Sequence, residues 1–220
     1  MCLKARPLLL GTNSFLIMQF VGVPQLLKKL FPSFTWDYNT GEKIVYITFD
    51  DGPIPESTPR TLALLRKKEI KATFFCVGDN VRKYPELYKQ ILDEGHAVGN
   101  HTHNHLRGFT SENKAYVDNV ALADKYIKSK LFRPPYGMIK RSQAKELLKD
   151  FKIILWDVLS EDYRQDITPE ACYKAVLKHT RPGSIILFHN HIKSETNMQY
   201  ALPLLIDALK EKGYQFGVCK

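Results

Sequence analysis

Asp50 and Asp51 are adjacent carboxylates at the end of the apolar run Lys43-Ile44-Val45-Tyr46-Ile47-Thr48-Phe49. Two ionised neighbours repel, so holding both inside a fold takes a cation or a proton beside them. Asp50-Asp51-Gly52-Pro53 is also good turn chemistry in its own right. The unit Thr48-Phe49-Asp50-Asp51-Gly52-Pro53, with the strand-like run in front of it, is much rarer than a turn alone. Further on, His101-Thr102-His103-Asn104-His105 spaces two imidazoles at i and i+4. On a helical turn His101 and His105 share a face, roughly 6 Å apart. That suits one divalent ion, and with one carboxylate it gives a two-histidine, one-carboxylate set with open positions, as catalytic metal sites need. His103 would then point elsewhere, toward the surface or behind the ligands.

Three further segments carry functional groups. Arg133-Pro134-Pro135-Tyr136-Gly137 reads as a stiff loop whose arginine can hold a carboxylate through a bidentate pair. Trp156-Asp157 and Asp162-Tyr163-Arg164 offer an aromatic wall and acidic groups, and equally a packed tryptophan and a solvated loop. Ile185-Ile186-Leu187-Phe188-His189-Asn190 is a buried-strand pattern ending in a histidine, a candidate general acid because imidazole titrates near neutrality. His96, His179 and His191 carry no such pattern.

The elements that must position these groups alternate. Strands are expected at 43–49, 71–77, 96–98, 132–133, 152–157, 184–188 and 214–218, from β-branched and aromatic runs ended by turn residues. Helices are expected at 58–68, 85–94, 111–130, 139–150, 168–180 and 198–212. Thr168 is the N-cap before Pro169, and Gly213 closes the last helix. Such alternation predicts a parallel α/β architecture, and in barrels of this kind chemistry gathers at the C-terminal ends of strands. The polar residues singled out above all follow strands.

Bulk properties bound the rest. A chain of 220 residues, 44% hydrophobic and 25% charged, suits one globular domain. No run of 18 or more apolar residues occurs, which argues against a conventional transmembrane helix. The net charge of +9 is spread along the chain without a dense basic tract. It fits a solvated surface or a polyanionic partner. Charge alone suggests nucleic acid, and a basic motif with interleaved aromatics is missing. Cys2, Cys76, Cys172 and Cys219 form no CxxC pair, so a zinc ribbon or thioredoxin-type site is unsupported. Residues 1–23 read as a weak export signal, a surface segment or an unstructured extension.

In this order, the segments at 48–53, 101–105, 133–137, 162–164 and 187–189 resemble the polysaccharide deacetylase family with the NodB homology domain, carbohydrate esterase family 4. The resemblance spans residues 43–219, with 1–42 as an N-terminal extension. It implies a single domain, a distorted, incomplete (β/α) barrel with about seven parallel strands. It also implies a hydrolase that removes acetyl groups from an acetylated oligo- or polysaccharide, with N-acetylglucosamine units of peptidoglycan or chitin-like oligomers first. The metal ligands would be Asp51, His101 and His105. The ion would be divalent, zinc first, with cobalt, manganese or nickel as alternatives. Asp50 would be the general base, held by Arg133. His189 would be the general acid, oriented by Asp162. Leu187 would line the acetyl-methyl pocket, Tyr163 a groove wall, and the Tyr136 amide would help hold the oxyanion. Many members have Trp at the position of Tyr163 and Asp at that of Asn190. The second change is expected to remove a charge beside His189. The alternatives are an O-acetyl esterase, as on xylan, and a carbohydrate-binding protein without turnover. Neither nucleic acid nor a stable protein partner is implied. The location would be the cell envelope or outside if residues 1–23 act as a signal, and the cytoplasm otherwise.

Overall fold

The computed structural model describes residues 20–38 and 41–220. Most of the segment read as a weak export signal lies outside them. The chain runs α1 (Gln25–Leu30), β1 (Ile44–Asp50), α2 (Thr58–Lys67), β2 (Thr73–Cys76), α3 (Gly78–Lys83), α4 (Pro85–Asp93), β3 (Ala97–Asn100), α5 (Asn113–Ile127), β4 (Leu131–Phe132) and α6 (Arg141–Leu147). It continues through β5 (Lys152–Ile153), β6 (Val158–Leu159), α7 (Pro169–His179), β7 (Ile185–His189), α8 (Glu195–Glu211) and β8 (Gln215–Phe216). The strands pair in the order β5-β4-β3-β2-β1-β7-β6, and every named pairing is parallel. The short β8 pairs the start of β1, outside that path. The seven strands of the path form the curled, incomplete barrel expected from the sequence.

Strand periodicity decides which residues reach the interior, because successive side chains point to opposite faces. In β1, Val45, Ile47 and Phe49 pack outward with Phe74, Cys76, Ile186 and Phe188 in the core beneath the helices. The intervening Tyr46 belongs to a second core inside the barrel, with Phe75, Ile185 and Leu187. Thr48 and Asp50 lie on that inner face by the same alternation, so the strand delivers a carboxylate to the barrel mouth. Register then sets its neighbour: Asp50 lies opposite His189 on β7, and Thr48 opposite Leu187.

Two local differences from the sequence expectation have physical causes. The strand expected at 152–157 keeps only its start as β5, which pairs β4, while β6, which pairs β7, lies just beyond it at 158–159. Between them the carbonyls of Ile154 and Leu155 accept from Arg133 Nε and Nη2 at 3.1 and 2.9 Å. A guanidinium has no acceptor site and several donors, and it draws these carbonyls away from regular strand pairing. The chain ahead of residue 43 is also structured: Val23, Phe34 and Trp36 are buried in the interior core. Residues 21–23 run antiparallel along the outer edge of β6, with Val23 N donating to Asp157 O and Leu159 N to Val21 O. Buried Lys28 on α1 pairs with Asp157, which also accepts from Arg181 Nε at 2.9 Å and Ser184 Oγ at 2.6 Å.

Helix ends follow the sequence signals. Thr168 Oγ1 accepts from Ala171 N at 3.1 Å, and Gly213, with φ of 77°, ends α8 while Tyr214 N reaches back to Leu209 O. Among the described residues no helix is long and apolar enough to cross a membrane.

Candidate active site

The strand ends open into a groove of about 710 Å³ that Asp50, Asp51, His101, His105, Leu187 and His189 all line. Tyr136 and Tyr163 line it too, while Arg133 and Asp162 lie fully buried behind it. All ten residues singled out in the sequence therefore belong to one place.

Asp51 leaves β1 with φ of 79°, so its carboxylate turns aside from that of Asp50. Its Oδ1 stands 3.1 Å from His105 Nε2 and 3.6 Å from His101 Nε2. One ligand atom from each of the three residues lies within 4.8 Å of the others. That Asp51 oxygen is buried and makes no hydrogen bond, a costly state unless a cation completes it. His101 Nδ1 lies 2.8 Å from the Arg133 carbonyl. A carbonyl can only accept, so the proton is on Nδ1 and the lone pair of Nε2 faces Asp51. Two imidazole nitrogens and one carboxylate on an open side fit a divalent ion. Burial disfavours charge on His101 most strongly and lowers it to about 4, against the pull of Asp50 and Asp51. A neutral ring is the form that binds metal. Burial works against ionised Asp51 as well, but neighbouring His105 and the charge of His189 outweigh it and hold the carboxyl well below its usual range.

The two histidines do not sit on a helix. Residues 101–105 form an irregular turn with positive φ at Thr102 and His105, 65° and 53°. The ring centroids are nonetheless 5.0 Å apart. What replaces helical hydrogen bonding is a set of asparagines. Asn100 Oδ1 accepts from Thr102 N at 2.9 Å, and Asn119 Oδ1, from α5, accepts from His103 N at 2.8 Å. Asn80 Nδ2 holds the Asp51 carbonyl at 2.7 Å. These braces were not read from the sequence, where an isolated asparagine gives no pattern. His103 faces away, stacked on Tyr126 at 5.6 Å.

Arg133 is completely buried. Its Nη1 donates to Asp50 Oδ1 at 2.7 Å and to Thr48 Oγ1 at 2.8 Å. The grip on Asp50 is therefore single rather than the bidentate fork expected, because Nε and Nη2 are committed to the carbonyls of Ile154 and Leu155. Its guanidinium also lies over the Phe75 ring at 4.0 Å, a favourable cation–π contact. Asp50 Oδ2 is left on the groove side, 3.7 Å from His101 Nε2.

His189 sits across β1 from the metal set. Its Nδ1 is 2.7 Å from Asp162 Oδ1 and its backbone N donates to Asp162 Oδ2 at 2.8 Å. Nε2 remains for the groove. Burial lowers the imidazole's affinity for a proton, but the Asp162 charge and hydrogen bond override it, with Asp51 and Asp50 adding, and raise His189 to about 9. Asn197 Nδ2 fixes the Asp162 and Arg164 carbonyls at 2.9 and 2.8 Å. The Tyr163 ring stands edge-on to His189 at 5.1 Å, and Leu187 beneath is almost wholly buried. Asn190 does not face His189: its amide turns to α2, donating to Ser57 Oγ at 3.0 Å and Thr61 Oγ1 at 2.9 Å and accepting from Thr58. The lost charge at that position thus acts on a helix start and not on the imidazole.

Tyr136, with φ of 61°, is presented by the turn after β4 and is half exposed. Its ring meets His105 at 4.8 Å and carries the Arg107 guanidinium at 4.4 Å. Arg107, Lys193 and His191 line the groove as well, residues that carry no motif or spacing of their own.

The family model for polysaccharide deacetylase matches residues 37–153. A peptidoglycan-N-acetylglucosamine deacetylase of Bacillus cereus is 37% identical over 201 residues, which cover 87% of this chain and 94% of the relative. The crystal structure of the Bc1960 peptidoglycan N-acetylglucosamine deacetylase superimposes with a TM-score of 0.78 at 31% identity, covering 84% of this chain and 90% of that one. BA3943 of Bacillus anthracis, described as a CE4 family pseudoenzyme, gives a TM-score of 0.77 at 28% identity, covering 87% and 69%.

Proposed function

The chain belongs to the polysaccharide deacetylase family, and from that premise we propose that it hydrolyses the acetamide of N-acetylglucosamine units in peptidoglycan. The observation that carries the reading is one groove in which the Asp51, His101 and His105 set adjoins Asp50 on one side and His189 on the other.

A divalent ion held by Asp51, His101 and His105, zinc by its fit to two nitrogens and one oxygen, supplies Lewis acidity that polarises the acetyl carbonyl and acidifies a water. Asp50 Oδ2 takes a proton from the attacking water as its oxygen adds to the acetyl carbon. Arg133 keeps Asp50 fixed through Oδ1. The Tyr136 backbone amide donates to the acetyl oxygen as charge develops there. Leu187 shapes the floor against the acetyl methyl, and Tyr163 walls it. The C–N bond then breaks as His189 Nε2 gives its proton to the departing amine, leaving acetate and a free amino sugar. At neutral pH a histidine raised to about 9 is charged and ready to donate.

A pseudoenzyme among the structural neighbours keeps one second reading open, binding without turnover. The test is acetate release from chitooligosaccharides, peptidoglycan and acetylated xylan, with chelated enzyme and after adding zinc or cobalt. Metal-dependent release from peptidoglycan is the expected result, and release from xylan alone would move the reading to an O-acetyl esterase. No release from any substrate, with metal bound stoichiometrically, would favour the binding-only reading. Action on peptidoglycan also calls for exposure to the cell envelope, and an exported chain would have to keep residues 21–23, which pack along β6.

A further inference from the structure

We propose that Arg107, with Lys193 across the groove, reads carboxylates on the glycan next to the acetylated sugar, so that this site selects an acidic polymer over a neutral one. The inference rests on the deacetylase reading and narrows its substrate.

Arg107 and Lys193 are the arginine and lysine that line the groove, and neither is in an ion pair among the described residues. Several exposed cations elsewhere are paired, Arg60 with Glu195, Arg66 with Glu94, Lys68 with Asp207, Arg82 and Lys83 with Asp79; what sets Arg107 and Lys193 apart is their place on the groove. Asp79, the remaining carboxylate of the groove beside Asp50 and Asp51, is thereby already neutralised. The two groove cations keep their charge for something else.

Arg107 is also held in place. Its guanidinium lies 4.4 Å over the Tyr136 ring, and that ring is edge-on to His105 at 4.8 Å. A stacked guanidinium keeps its in-plane N–H donors free, the geometry that matches a carboxylate fork. Lys193 follows the β7 end in the short helical turn Ile192–Ser194. Its backbone is pinned at both ends of the residue, N to His191 Nδ1 at 3.1 Å and O from Gln165 Nε2 at 2.7 Å. β3 and β4, which lead to Arg107 and Tyr136, lie on one side of β1, and β7 lies on the other. Each flank thus presents one cation, and on the Arg107 side Tyr136, 46% exposed, lies beside it on the groove. Apolar surface for sugar faces with a cation next to it suits a sugar chain bearing carboxylates. A neutral oligomer has nothing to meet the cations.

The probes are peptide-free peptidoglycan glycan strands, whose sugars carry carboxylates, and the same strands with those carboxylates amidated. The wild type is expected to show at least tenfold higher kcat/KM on the carboxylate form, and the ratio should shrink with salt. Arg107→Gln should collapse the ratio toward one, Arg107→Lys should keep part of it, and Lys193→Gln should reduce it less. Equal losses on both forms would mean that Arg107 only supports Tyr136, and an unchanged ratio would remove it from recognition. Either result overturns the proposal. Calorimetric binding of both strand forms to Asp50→Asn protein, with and without Arg107→Gln, reads the same preference without turnover. A deacetylase that failed on every substrate would therefore still report on Arg107. Preference only for strands that keep their stem peptides would assign the carboxylate to the peptide, and preference on peptide-free strands to the sugar.

Discussion

At the scale of single residues, the proposed mechanism separates binding of the ion from transfer of protons. Asp50→Asn would remove the proposed base and leave Asp51, His101 and His105 in place. Turnover should fall by about 10²–10⁴ while metal content, measured by atomic absorption, stays at the wild-type level. His101→Ala should do the reverse at the first step and leave a protein that retains little metal after dialysis. The acid offers a test with a sign. His189 is raised to about 9 chiefly by Asp162 against the effect of burial. In the proposed role His189 works only while protonated, so activity should fall as pH climbs through that value. Asp162→Asn lowers the imidazole, and the alkaline limb of kcat/KM against pH should move to lower pH. An unmoved limb would detach Asp162 from the acid. Asp50 and His189 were legible because each ends an apolar run, His101 through its spacing from His105, and Asp162 only through the family resemblance. Arg107 and Lys193 were not, since they stand in segments where polarity is the rule, and Asn80, Asn100 and Asn119, in α3, β3 and α5, carry no pattern of their own.

At the scale of elements, positions depend on close approaches that composition does not reveal. The alternation of β1 and β7 made the strands and their polar ends readable. The turn holding His101 and His105 was read as helical from spacing alone, and Asn100 and Asn119 build it instead. Gly78 starts α3, and a Cβ there would meet His103 Nδ1 at 2.7 Å and the Ala123 backbone at 2.8 Å. Gly78→Ala should therefore destabilise by about 1–3 kcal/mol in urea denaturation and loosen the adjoining ligand turn, seen as weaker metal retention. The early end of the strand expected at 152–157 follows from Arg133, whose donors reach the carbonyls of Ile154 and Leu155. Arg133→Met would leave Asp50 buried and unpaired, a loss of roughly 3–5 kcal/mol, and the urea midpoint should drop accordingly.

At the scale of the whole molecule, the segment before residue 43 belongs to the barrel's packing. Lys28 is buried between Asp37 and Asp157 at the foot of the strands. Lys28→Met removes a buried partner, though Arg181 and Ser184 still serve Asp157. The cost should fall near the lower end of the range for a broken buried pair, about 3 kcal/mol, with acetate release at 25 °C little altered because the groove is at the other end. The sequence suggested a leader here because charge and apolar residues mix without clear periodicity. Burial of Val23, Phe34 and Trp36 is set by the gap they fill, which exists only once the sheet has curled. The antiparallel run of residues 21–23 along β6 has a further consequence. A sheet that stops short of closure ends in a row of unsatisfied backbone donors and acceptors, a template on which copies of the same chain can add strand to strand. Here the chain shields its own seam. A version beginning after residue 23 would keep every group needed for hydrolysis and yet lose solubility first, gathering into aggregates through a face that has nothing to do with sugar.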